Sequence, residues 1–180
     1  LVLVPGNHDC YANDTITHMH QQWSRFLNVD AGGRESFPSL FQNGRFSIIG
    51  LSSALPMPFW SAGGLIGKTQ LSGLERILDE TPNAFRCIAL HHPPVPGQIQ
   101  RRKALADADS LHQLILRHGI ELVLHGHVHR NQELLIGGRT RIMASASASK
   151  ATKINRASFR LFDIAPDRDA WQVQATLKSI

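Results

Sequence analysis

Six of the ten histidines of this chain fall at three points: His8 in "PGNHD", His91 and His92 in "LHHPP", and His125, His127 and His129 in "LHGHVH". Imidazole nitrogen and amide oxygen are ligands for Zn, Mn or Fe, and with two cysteines, Cys10 and Cys87, no thiolate set competes. His127 and His129 are two residues apart. On a helix they would diverge, whereas at a strand end or in a turn they can reach two adjacent metal positions. Gly126 is expected to let the backbone bend before His127, and Pro93-Pro94 to stiffen the exit from His91. Asp9, beside His8, is expected to fix that imidazole's tautomer and raise its basicity. Asn7, His8, His91, His127 and His129 form the candidate constellation, with His92 and His125 as weaker candidates for substrate binding. His18, His20, His112 and His118 fall on or near helix surfaces and need no function. For His118 the dipole of a helix C-terminus is explanation enough.

Each histidine group comes directly after a run that reads as a buried strand. Leu1 to Val4 is an uninterrupted apolar run stopped by Pro5-Gly6, Phe85 to Leu90 is a second, and Ile120 to Leu124 a third. In open α/β sheets ligands bind beyond the carboxyl ends of strands. The three polar groups, far apart in sequence, should therefore converge on one patch. Helical spacing of apolar residues marks Asp14 to Leu27, with Asp14 as N-cap, Leu71 to Leu78 ending near Thr81-Pro82, and Leu105 to Ile115 closed by His118-Gly119. Asn43-Gly44 signals a hairpin between Leu40–Gln42 and Arg45–Ser52. Leu55 to Gly67, rich in Pro and Gly, reads as a loop. Beyond Gln132 the pattern is of strands: Leu134–Ile136, Arg139–Ala144, Ser158–Ile164 and Trp171–Leu177, with turns at Gly137-Gly138 and Pro166-Asp167. The "ASASAS" run from Ala144 to Ser149 reads as a surface loop. Strand–helix alternation followed by a run of strands argues for a layered α/β sandwich with a mixed sheet.

The composition narrows the classes. With 180 residues, 42% hydrophobic and 18% charged, the chain is long enough for a real core and is not disordered. No apolar run approaches the ~20 residues of a membrane helix. Two cysteines cannot frame a disulfide scaffold, so a reducing cytoplasm is the expected location. The net charge of +5 suits an anionic substrate without proving one.

"GNHD" at Gly6–Asp9, "HHPP" at His91–Pro94 and "GHVH" at Gly126–His129 together resemble the calcineurin-like metallophosphoesterases, in order and in spacing. "GGLIGKTQLSGLERIL" is similar to the linker of the branch that includes bacterial class III cyclic-nucleotide phosphodiesterases. The resemblance implies a layered α/β/β/α sandwich and two divalent or mixed-valence metal ions (Mn, Fe or Zn). By resemblance, Asn7, His91 and His127 would bind one metal and His129 the other. A hydroxide between the metals would attack phosphorus, with His8, oriented by Asp9, protonating the leaving oxygen. The family's pattern has two further blocks upstream of the Asn-His-Asp block. Residues 1–180 are accordingly expected to be the back part of a single metallophosphoesterase domain, truncated at its N-terminus, with at most one well-formed metal site. An exposed sheet edge in such a chain invites pairing with a second copy.

The expected substrate is a small phosphodiester such as a cyclic nucleotide. Scattered charge and only 7% aromatic residues count against a nuclease, and nothing beyond Leu55–Leu65 offers an apolar flap for lipid. A sugar-nucleotide hydrolase of the same fold and a catalytically silent metal-binding or interaction protein are the alternatives. Three further features are weighed. Cys10 reads as a small buried residue, and "QRRK" at Gln100–Lys103 as a solvated charge run more than a phosphate contact. Phe59 and Trp60 could equally stack on a substrate ring or pack on the core.

Overall fold

The computed structural model describes residues 1–10, 13–24, 26, 37–58, 60–148, 156–168 and 170–179. Its centre is a six-stranded sheet of order β1-β2-β3-β4-β6-β5. The strands are β1 (Ser39–Asn43), β2 (Phe46–Gly50), β3 (Phe85–Ala89), β4 (Leu122–His125), β5 (Gln132–Ile136) and β6 (Thr140–Ala144). The four inner strands β2, β3, β4 and β6 run parallel, while β1 and β5 pair antiparallel at the two edges. β3 ("FRCIA") and β4 ("LVLH") are almost wholly buried, so apolar residues fall on both of their faces rather than alternating, with Arg86 and His125 as the buried polar exceptions.

Two helices cover one face. In α2 (Lys68–Glu80), Leu74, Ile77 and Leu78 are buried, and in α3 (Ala108–His118), Leu111, Leu114 and Ile115. These pack on Ile49, Ile88, Val123 and Ile142 of the sheet. Gly119, at φ 61°, closes α3 in the left-handed conformation that glycine adopts without a Cβ penalty. The opposite face, with Phe85, Cys87, Leu122 and Met143, is covered by the hairpin of β7 (Ser158–Asp167) and β8 (Ala170–Ser179) through Phe162, Ile164, Trp171 and Val173. Phe46 stacks on Phe85 at 5.0 Å, and Trp171 meets Phe85 edge-on at 5.6 Å. The result is an α/β/β layering, the mixed α/β architecture expected.

Four local expectations change. Leu1 to Val4 joins no strand ladder, and Leu1 is 77% exposed; Val2 and Val4 instead lie against Gly50 at the end of β2. An apolar run becomes a strand only where a neighbour takes up its backbone hydrogen bonds. Asp14 lies inside α1 (Asn13–Trp23) rather than capping it, and Leu27 falls outside the described residues. The first hairpin turns on Gly44-Arg45, because Asn43 pairs with Phe46. β7 continues through Pro166 and Asp167, with Arg168 at φ 50° taking the turn.

Candidate metal centre and active site

The carboxyl ends of the parallel strands all face one edge of the sheet, and two of them deliver part of the site. Beyond β3 comes His91, beyond β4 come Gly126 and His127, and beside them the 3₁₀ turn Asn7–Cys10 presents Asn7 and His8. His91 Nε2 lies 2.8 Å from Asn7 Oδ1 and 3.1 Å from His127 Nδ1. Three donors separated by 84 and 36 positions in the chain thus meet at one point. Gly6 makes this possible, since a Cβ there would stand 2.9 Å from the His91 ring.

The chemistry of this donor set fits a metal ion. A single proton on His91 Nε2 can be directed at one of the two facing lone pairs, whereas a cation accepts all three. Adjacent ligands each ~2.1 Å from one ion lie about 3 Å apart at right angles, which is the spacing seen. Burial pushes His91 down to about 3, with His92, His127, His129 and His8 adding to the effect. Burial likewise lowers His127 to about 4, with contributions from His92, His129 and Lys103, while the Lys103 backbone works in the opposite direction. Both rings are therefore neutral at physiological pH, the form that binds metals. His127 Nε2 is buried and closes no regular hydrogen bond. Among the described residues no group of three or more His, Cys, Asp or Glu is arranged to hold a metal. The donor group here includes an amide oxygen in place of a third such residue.

The bend in the "GHVH" segment is made by the histidines themselves. His127 and His129 sit at φ 66° and 52°, whereas Gly126 is not in the left-handed region. Left-handed backbone costs a non-glycine residue about 1–2 kcal/mol. Such strain is characteristic of sites where side-chain direction matters more than local stability. His129 and His8 act electrostatically on His91 and so lie close to the donors, His8 at the exposed rim. Asp9 Oδ2 accepts the Gly6 N–H at 2.8 Å, pinning the turn that carries Asn7 and His8.

The two weaker candidates are buried and hydrogen-bonded within the chain. His92 is fully buried (0% exposed), and both ring nitrogens are engaged. Its Nε2 donates to the Ala62 carbonyl at 3.1 Å, and its Nδ1 lies 2.8 Å from Ser53 Oγ. His125, the last residue of β4, donates from Nδ1 to the Gly126 carbonyl at 3.1 Å. Desolvation holds both rings below the ordinary imidazole value. Sequence reasoning missed Ser53 and Gly64, which accommodate His92: a Cβ on Gly64 would fall 2.4 Å from His92 Nδ1. The paired Gly63-Gly64 in a loop was the available signal. Cys10 and Cys87 are buried, and burial pushes the Cys87 thiol up to about 12. Trp60 is 63% exposed, and Phe59 lies outside the described residues.

With the fold and this donor cluster in view, the chain belongs to the calcineurin-like phosphoesterase family, whose sequence pattern matches residues 1–131. It is 34% identical over 131 residues to the 3′,5′-cyclic-nucleotide phosphodiesterase alr5338 of Nostoc sp., covering 71% of this chain and 43% of that protein. It is 27% identical over 168 residues to the 3′,5′-cyclic adenosine monophosphate phosphodiesterase CpdA of Escherichia coli K12, covering 92% of this chain and 56% of that one. The chain thus spans about half the length of these relatives. The solved structure of PhoD shares the fold, with a TM-score of 0.50 at 12% identity over 71% of this chain and 33% of PhoD. Among the described residues no helix is long and apolar enough to cross a membrane.

Proposed function

We propose that this chain serves the metal-dependent hydrolysis of phosphodiesters, 3′,5′-cyclic nucleotides foremost. The observation that carries this reading is the convergence of Asn7 Oδ1, His91 Nε2 and His127 Nδ1 within 2.8–3.1 Å at the carboxyl edge of the sheet. The two relatives named as cyclic-nucleotide phosphodiesterases support the substrate class.

Asn7, His91 and His127 would hold one divalent ion and His129 a ligand position on a second. When bound, such ions neutralise charge on the phosphoryl oxygens and lower the pKa of water from ~15.7 toward ~7. The chain's own residues do the rest. Burial keeps the His91 and His127 lone pairs free of protons. His8, exposed and next in sequence to Asn7, would protonate the departing ester oxygen through its imidazole. Asp9 holds its turn in place through Gly6. A chain with only two cysteines lacks a disulfide framework, which favours a reducing compartment such as the cytoplasm.

The test is a panel of 3′,5′-cyclic AMP, bis(4-nitrophenyl) phosphate and 4-nitrophenyl phosphate, assayed on the full-length protein with Mn, Fe or Zn and after chelation. The proposal expects both diesters to be hydrolysed faster than the monoester, with activity lost on chelation. Hydrolysis of neither diester by a protein that demonstrably binds metal would overturn it.

A further inference from the structure

A cavity of about 460 Å³ opens beside His127, which itself forms part of the wall. Gln98, Gln100, Lys103, Val128 and Arg130 also line it. That volume is in the range of small-molecule sites, roughly 300–1,000 Å³. Lys103 belongs to the exposed 3₁₀ turn Arg101–Lys103. The turn is latched by Ala62 N–H to the Arg102 carbonyl (3.0 Å), Ser61 Oγ to the same carbonyl (3.0 Å) and Gly64 N–H to the Ala104 carbonyl (3.1 Å). Ala62 in turn receives the buried His92. A continuous set of hydrogen bonds therefore ties the placement of Lys103 to the residue next to the donor His91.

The two cations of this wall are not spoken for by carboxylates. Among the described residues, the ion pairs are those of Arg86, Arg117, His118, Arg139 and Arg141, and none involves Lys103 or Arg130. With the Gln132 carboxamide turned so that its oxygen faces Arg130, it accepts from Nε at 3.2 Å and Nη2 at 3.1 Å. This steadies the guanidinium without neutralising it. A cavity that adjoins metal donors and gathers positive charge without counter-charge is matched by an anion. The carboxamides of Gln98 and Gln100 add donors and acceptors for an organic group.

We propose that this cavity is the binding subsite for a nucleotide-sized phosphate ester, with Lys103 and Arg130 holding its anionic oxygens and Gln98 and Gln100 facing its organic part. The inference rests on the phosphodiesterase reading and names where its substrate binds. Arg101 supplies the control. It shares the turn and the charge of Lys103 but faces the neighbouring cavity above Leu105 and Ala108.

The experiment compares Lys103→Gln, Arg130→Gln and Arg101→Gln in the full-length protein, with two readouts. One is KM and kcat for 3′,5′-cyclic AMP; the other is calorimetric binding of adenosine 5′-monophosphate to metal-stripped protein. Lys103→Gln and Arg130→Gln are expected to raise KM roughly tenfold, the effect of losing a charged hydrogen bond, with kcat within about twofold. Both should weaken monophosphate binding, and Arg101→Gln should change neither. Equal effects of all three substitutions would reduce the cations to a diffuse field and overturn the subsite. Turnover with KM and binding unmoved by Lys103→Gln and Arg130→Gln would overturn it while sparing the phosphodiesterase reading. Absent turnover, with monophosphate binding weakened by those two alone, would sink the phosphodiesterase reading and leave the subsite standing.

Discussion

The two ends of the same parallel sheet are built on opposite electrostatic plans. At the amino ends, Glu121 before β4 is nearly buried and fully partnered. Its Oε2 accepts the Arg86 backbone N–H at 2.9 Å and Arg86 Nε at 3.3 Å, and its Oε1 accepts Arg139 Nη2 at 2.7 Å. Arg86 also donates to the His118 carbonyl at 3.0 Å, tying the end of α3 to the sheet. At the carboxyl ends, Asn7 Oδ1, His91 Nε2 and His127 Nδ1 crowd together, and two of the loop histidines sit in left-handed backbone. One end closes a charge network within the chain; the other gathers imidazole and amide donors at one point. The difference teaches where this fold places stability and where it places chemistry.

Breaking either end should separate these roles. The largest effect is expected from His91→Ala: loss of metal and of turnover by on the order of 10³-fold or more, read by metal analysis and kinetics. Glu121→Ala should leave the metal donors in place yet lower stability by about 3–5 kcal/mol, because two arginines lose their buried carboxylate. Denaturant titration checks this, and wild-type stability for Glu121→Ala would dissolve the contrast. Gly64→Ala is intermediate. It forces a Cβ into His92, and a cost of about 1–3 kcal/mol is expected, together with reduced turnover as the Ala62–Lys103 latch shifts.

The pH response sharpens the same comparison. His91 and His127 have folded values of about 3 and 4 against an ordinary value of 6.5, so between these limits the unfolded chain binds more protons. Their contribution to the stability of the metal-free protein is full above 6.5 and is lost as pH falls toward 4. Denaturant midpoints measured from pH 7.5 to 4.5 should therefore decline, and a His91→Ala/His127→Ala double variant should decline less. The smallest effect concerns Cys87. With its thiol raised to about 12 and buried between the layers, it should stay unmodified by a thiol reagent in the native protein and react only on unfolding.

Much of this was legible in the sequence. Leu71, Leu74, Ile77 and Leu78 announce α2, and Gly119 announces the end of α3, because helix periodicity and a left-handed cap are local properties. The meeting of His91 and His127 was legible for a different reason: each follows an apolar run that becomes a parallel strand, and neighbouring parallel strands bring such positions to one edge, where the turn Asn7–Cys10 adds Asn7. What escaped was set by tertiary contact. Nothing local distinguishes His92 from His91 until Ser53 and Ala62 arrive to occupy its nitrogens. Leu1–Val4 has strand composition but gains no strand partner among the described residues. Lys103 reads as part of a solvated run until Ser61–Gly64 holds its turn at the wall beside His127.

The central claim is that Asn7, His91 and His127 share one metal ion, and diffraction from crystals of the full-length protein grown with Mn²⁺ tests it most directly. The account predicts an anomalous difference peak bonded to Asn7 Oδ1, His91 Nε2 and His127 Nδ1. Crystals with bound manganese elsewhere and none among these three atoms would contradict it.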